Sequence, residues 1–242
     1  MKEGIPVVAF EGLNRAGKGT QIENLKNLLT ESNVSFIELR GDGTRDGTGE
    51  HDGDPLSPWW QSYSEQIRNQ GSTAEWHYAA YLLAKDVMTW REQGANLDRE
   101  IAILDRSLIS RSAFVLDRER LPNEVFLIQH LYPVQPGPRI ELDDITPDLI
   151  FELVAPKEVL LSRLSTDDPK YEFRERLITE LYDVYYSAKD RLPSNIQERI
   201  VSIDSSQPVD QVFDRILETL NDRLESWRIL VSRKAAGDSN GS

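Results

Sequence analysis

The chain has 242 residues, 39% hydrophobic and 29% charged, with 28 Lys and Arg against 41 Asp and Glu for a net charge of −13. Such a balance excludes a disordered polymer and leaves chain enough for one large α/β domain or two small ones. The acidity excludes a general nucleic-acid binder, which needs a basic face to displace counterions. No apolar run approaches the roughly 20 residues of a membrane span, and the lack of cysteine excludes disulfides and thiolate metal sites while agreeing with a cytoplasmic location.

Pro6–Phe10 reads as a first strand, and the apolar piece from Ile5 is shorter than the roughly 7–15 residues of a signal-peptide core. It runs into Gly12, four residues, then Gly17, Lys18, Gly19 and Thr20. A helix over Thr20–Leu29 follows, with Ile22, Leu25, Leu28 and Leu29 on one face. Val34–Leu39 is the second strand. The stretch Gly41–Pro58, dense in Gly and Asp, is expected to be a flexible loop, and Thr73–Gln93 a long helix. Further strands are expected at Ile101–Leu104, Leu149–Val154 and Ile200–Ile203, with helices over Phe173–Lys189 and Val209–Leu230 and a frayed tail at Arg233–Ser242. Continuous rather than alternating apolar strands, separated by helices, point to a doubly wound parallel sheet.

Two constellations carry chemistry. In a Gly-rich turn between strand and helix, backbone N–H groups converge on an anion, the lysine reaches terminal phosphates, and the helix adds its positive end. The spacing from Gly12 to Thr20, with a strand before it and an amphipathic helix after, predicts a phosphate-binding loop. The Ser or Thr usual directly after the lysine is Gly19 here, so the hydroxyl is displaced to Thr20. The second constellation is Asp105-Arg106, delivered to the carboxyl end of a buried strand, where open α/β sheets bind ligands. An acid there can hold Mg²⁺ or accept a hydroxyl proton, and an arginine can grip a phosphate.

These two stretches, "FEGLNRAGKGTQ" and "LDRSLIS", resemble the phosphate loop and the Asp-Arg motif of thymidylate kinases, and the likeness continues in "TPDLIFELVAPKEVLLSRL", "KYEFRERLITELY" and "VSIDSSQPVDQVFDRI". The resemblance covers about Val7 to Leu220. It implies a three-layer α/β/α P-loop nucleotide kinase fold with about five parallel strands and a short helical lid near 164–172. One kinase domain would span 1–232. The implied activity is transfer of the γ-phosphoryl of ATP, with Mg²⁺, to a nucleoside monophosphate, nominally dTMP. Nucleotide binding would fall to Gly12, Asn14, Arg15, Ala16, Gly17, Lys18, Gly19 and Thr20, with Lys170 from the lid. Arg15, Lys18, Arg106 and Asp105 would be catalytic, and Thr20 and Asp105 would hold the metal. The family carries a catalytic arginine either in this loop or in the lid; Leu164–Glu172 has none, whereas the loop has Arg15. Pairing into a homodimer stays open.

The acceptor side departs from the family. Asn14 stands where an acid is usual, Ser107 replaces an aromatic or His, and Ala84-Lys85-Asp86 stands where Ala-Asp-Arg is common. Acceptor contacts are expected from Arg40, Arg106, Ser110 and Arg111, with Trp76 and Tyr78 as stacking surfaces. "DRSLISR" also resembles deoxynucleoside kinases and polyphosphate-dependent nucleotide kinases, and a regulatory nucleotide-binding module is the alternative without turnover.

Overall fold

The first strand, β1 (Val7–Glu11), is buried at every residue. Side chains alternate across a strand, so five buried positions in a row mean that both of its faces are covered. The structure, a computed structural model, describes residues 5–40, 100–107, 109–110, 146–224 and 227. Within these, β1 lies at the centre of a five-stranded sheet with β2 (Phe36–Arg40), β3 (Ile101–Asp105), β4 (Leu149–Val154) and β5 (Ile200–Asp204), in the order β2-β3-β1-β4-β5. Every pairing is parallel. The helices are α1 (Lys18–Glu31), α2 (Lys157–Ser162), α3 (Tyr171–Ser187), α4 (Ser194–Gln197) and α5 (Val209–Arg223), and a 3₁₀ turn over Ala188–Arg191 follows α3. This is the three-layer P-loop arrangement the sequence predicts.

Sequence pattern explains most element limits. Ile22, Leu25 and Leu29 are the buried stripe of α1, with Leu28 half-buried against the core. The helix begins at Lys18, two residues earlier than its apolar period, because the turn before it is built by glycine and not by a hydrophobic residue. Asn33, in the left-handed region at φ 51, ends it, and the Val34 N–H closes back on the Leu29 carbonyl at 2.8 Å. The helix expected over Val209–Leu230 is interrupted after Arg223, where Leu224 takes an extended conformation, and Trp227 is helical again. Residues 164–170 form turns, and helix resumes only at Tyr171. The Gly41–Pro58 loop, the Thr73–Gln93 helix and the 233–242 tail lie outside the described residues.

The topology fixes where a ligand can sit. The strands that follow β1 are laid first on one side of it (β2, β3) and then on the other (β4, β5), so a crevice opens at the carboxyl ends of the central strands. Phe10 is in register with Asp105, which sets Glu11 and Gly12 beside Asp105 and Arg106 at that edge. Gly12 is held at φ 143, and a Cβ there would stand 2.7 Å from the Leu153 carbonyl oxygen of β4. Gly12→Ala therefore combines backbone strain with a clash against main chain, and should lower unfolding stability by about 1–3 kcal/mol in urea titrations. An alanine variant as stable as wild type would contradict this packing.

Candidate active site

Beyond Gly12 the chain turns through Asn14, Arg15 and Ala16 to Gly17, which sits at φ 93 and caps α1 without any side-chain oxygen on the first-turn N–H groups. Those N–H groups have no intrahelical acceptor and carry the positive end of the helix dipole. Lys18 is nearly buried; its Nζ donates to the Gly12 carbonyl at 2.7 Å and the Leu13 carbonyl at 3.3 Å, so the lysine spans the loop from inside. Gly19 has open space around its Cβ position, so the hydroxyl missing there is not excluded by packing.

Arg106 follows β3 in the left-handed region at φ 74, as does Arg15 at φ 68. Non-glycine residues adopt this backbone at a cost of about 1–2 kcal/mol each, and such strain gathers at functional sites. Arg106 reaches back to the loop: Nη1 donates to the Gly12 carbonyl at 3.3 Å and Ser110 Oγ at 3.0 Å, and Nη2 to Asn14 Oδ1 at 3.2 Å. Beneath it lies Glu11, fully buried and surrounded by donors. Glu11 Oε1 accepts from the Ser107 and Ser110 N–H groups and Ser107 Oγ, and Oε2 from Ser110 Oγ and the Tyr185 hydroxyl. Tyr185, on α3, also accepts the Gly12 N–H at 2.7 Å. Burial, reinforced by the nearby Glu11, pushes the Tyr185 phenol well above its ordinary value, which keeps the Glu11 hydrogen bond supplied with a proton.

The segment after α2 closes the other side. Arg163 Nη1 donates to the Arg15 carbonyl at 3.2 Å and Nη2 to the Ser205 carbonyl at 2.8 Å. Asp168 Oδ2 takes Arg15 Nη2 at 2.7 Å and also pairs with Arg174 Nη1. The Lys170 amide, with the Arg174 and Arg15 charges behind it, holds the Asp168 carboxyl below its ordinary range.

These elements enclose a cavity of about 560 Å³ lined by the loop from Asn14 to Gln21, by Asp105 and Arg106, by Arg163 and Arg174, and by Ser205, Gln207, Val209 and Val212. Among the described residues, four buried side-chain atoms have no hydrogen-bond partner, and three of them, Asp105 Oδ1, Gln21 Oε1 and Ser205 Oγ, belong to residues of this lining. Buried polar atoms are rarely left unpaired, so three of them on residues of one lining mark a place suited to a polar ligand.

Of the residues singled out from sequence, Asn14 to Thr20, Asp105 and Arg106 meet around this cavity. Gly12 lies behind it and anchors the loop. Ser110 is buried against Glu11, Tyr185 and Arg106, and Lys170 is exposed outside the lining. Arg40 closes β2 in register with Asp105, at the same sheet edge; its side chain, like Trp76, Tyr78 and Arg111, lies outside the described residues. Sequence reasoning passed over Glu11, Tyr185 and Asp168. An acid closing an apolar strand, a tyrosine deep in an amphipathic helix and one aspartate among several in a polar turn carry no spacing signal.

A parallel sheet with β1 at its centre, a Gly-rich loop before α1 and an Asp-Arg pair at the end of β3 make up the fold of P-loop nucleotide kinases. Within that class the chain is thymidylate kinase-like. It is 23% identical over 242 residues to a thymidylate kinase of Prosthecochloris aestuarii, covering 95% of this chain and 98% of the relative. It is 23% identical over 218 residues to that of Fervidobacterium nodosum, covering 88% and 98%. A solved thymidylate kinase from Candida albicans shares the fold, with a TM-score of 0.53, 19% identity and coverage of 90% of this chain and 92% of that one. No family model matches the chain.

Two outcomes follow from this geometry. Tyr185→Phe leaves the Gly12 N–H without its acceptor and Glu11 one donor short, and should cost about 1–3 kcal/mol in chemical denaturation. Because the Asp168 carboxyl is lowered, its stabilising pairing is present above the unfolded value of about 3.9 and is lost as pH falls through the folded one. The melting-temperature gap between wild type and Asp168→Asn should be flat from about pH 5 to 9 and shrink below about pH 4.

Proposed function

We propose that the protein is an ATP- and Mg²⁺-dependent phosphotransferase that moves the γ-phosphoryl group of ATP to a nucleoside monophosphate, with dTMP as the nominal acceptor. The observation that carries the reading is the cavity itself: the loop from Asn14 to Gln21, with Lys18, and four arginines line one space, together with Asp105, whose Oδ1 is buried without a partner. Donors and cations in such number suit a polyanion, and an apolar ligand would leave them unpaired.

In this reading the N–H groups of Asn14 to Thr20 cradle the β-phosphate, and Lys18 exchanges the Gly12 and Leu13 carbonyls for phosphate oxygens. Arg15 and Arg106 neutralise charge spread over the transferring group. Mg²⁺ commonly uses one or two protein oxygens, keeping waters and substrate phosphates for the rest, and Thr20 with Asp105 offers a donor set of that size. When bound, the ion would supply charge neutralisation between the β- and γ-phosphates. The bond between Pγ and the β–γ bridging oxygen breaks, an acceptor oxygen bonds to Pγ, and ADP leaves. A monophosphate acceptor attacks through an oxygen that is already anionic, so no general base is required. A nucleoside hydroxyl has a proton to lose, and only then does Asp105 have a base's task. Arg40, at the same sheet edge as Asp105, is assigned to the acceptor phosphate, and the family likeness assigns acceptor contacts to Arg111, Trp76 and Tyr78 as well.

The test is purified protein with Mg-ATP and a panel of monophosphates, nucleosides and polyphosphate, following ADP release. Turnover on dTMP supports the leading reading. Turnover only on nucleosides, or only with polyphosphate as donor, moves the assignment to those classes, and ATP binding without turnover favours a regulatory module. In the active case, Arg15→Ala should lower kcat on the order of 10³-fold with little change in ATP affinity. A kcat within a few-fold of wild type would remove Arg15 from the transfer step.

A further inference from the structure

Resting on the phosphotransfer reading, we infer that Asp168 is a positioning residue that holds the Arg15 guanidinium in its working orientation, coupling the 163–174 segment to the phosphate loop. Arg15 leaves the loop from a left-handed backbone, and its side chain is about one-third exposed, at 35%. A flexible arginine in that setting samples many rotamers, and its share of time facing a phosphoryl group depends on what holds it. The hydrogen-bond partner its guanidinium meets is Asp168.

Asp168 is built for that task. Its side chain is only 8% exposed. Oδ1 accepts the Lys170 N–H at 2.9 Å, the Asp168 N–H bonds the Ser165 carbonyl at 3.0 Å, and the Tyr171 N–H bonds the Asp168 carbonyl at 2.8 Å. The carboxylate is therefore fixed within its own turn before it meets an arginine. Oδ2 is then shared between Arg15 from the loop and Arg174 from α3. A single acid between two guanidiniums relieves their repulsion and sets them side by side.

The direction of the effect follows from where the acid stands. Arg15, Arg163 and Arg174 line the cavity, whereas Asp168 does not. The acid pairs with the arginines from outside the lining, so its negative charge is not among the groups an incoming phosphate meets there. A guanidinium has five N–H donors, and the contact with Asp168 uses Nη2 of Arg15, leaving donors for an anion while that bond persists. Asp168 thus orients Arg15 without competing for it, and its loss should slow transfer and not accelerate it.

A double-mutant cycle with Asp168→Asn and Arg15→Ala, read by steady-state kinetics on the full chain, tests this. Asp168→Asn in the wild-type background should lower kcat about tenfold with the ATP KM within about twofold. In the Arg15→Ala background the same change should alter kcat by no more than about twofold, since the group it positions is gone. Asp168→Glu keeps the charge and should recover at least part of the loss. Equal effects of Asp168→Asn in both backgrounds, or an unchanged kcat in the first, would overturn the inference. If Asp168→Asn fails to fold, Asp168→Glu decides: a kcat nearer wild type than about tenfold down supports the role, and a larger loss overturns it. Absence of wild-type turnover in the same series removes the phosphotransfer reading and this inference with it, whereas wild-type turnover with additive effects removes the inference alone.

Discussion

The close passage of Gly12 over the Leu153 carbonyl governs the site. With no Cβ, the main chain at the end of β1 lies against β4, and both of its polar groups become anchors. The N–H goes to the Tyr185 hydroxyl, and the carbonyl takes Lys18 and Arg106. One residue thus connects the central strand, the loop lysine, the arginine after β3 and the helix α3. Any side chain there would push the loop away from β4 and loosen all four connections together. Beneath it, Glu11 serves the same end from the other side, tying Ser107 and Ser110 of the post-β3 turn to Tyr185. Loop geometry is therefore set by buried hydrogen bonds and not by the glycine spacing alone.

Charge distribution explains how an acidic protein can suit a polyanion. A net charge of −13 would repel a nucleotide if it were spread evenly, yet Arg15, Lys18, Arg106, Arg163 and Arg174 all border one cavity. Local potential, focused by a concave low-dielectric wall, outweighs the distant surface charge, which is screened beyond about 10 Å at ordinary salt. Several of these cations already rest on protein carbonyls. Such contacts hold the side chains near their working places at modest gain, and phosphate oxygens, being charged acceptors, are stronger partners than neutral carbonyls.

How far the sequence revealed this arrangement depended on whether a feature had a period or a fixed spacing. The strands and the buried stripe of α1 were legible because apolar runs and helical periodicity survive in any context. The phosphate loop was legible because glycines, lysine and threonine stand at fixed offsets between a strand and a helix. Glu11 was not, since its five donors come from residues 96 to 174 positions away, and only the fold brings them together. Asp168 was hidden for a similar reason: it meets Arg15 across 153 positions. The break after Arg223 was not legible, because apolar residues continue beyond it and the extended backbone at Leu224 leaves no local signature.

The choice between an arginine in the phosphate loop and one in the lid, which the family likeness poses, takes a different form here. No arginine lies between Leu164 and Glu172, but Arg163 and Arg174 bracket that stretch, and both border the same cavity as Arg15. Arg163 bonds the Arg15 main chain, and Arg174 shares its carboxylate partner, so the three cations are tied into one bonded unit. Under the proposed activity, a shift of the 163–174 segment toward bound nucleotide would carry the loop arginine with it. The loop arginine and the arginines of the 163–174 segment are then parts of one cationic unit. Under that activity the alignment of the unit, more than its total charge, would match the phosphoryl group in flight.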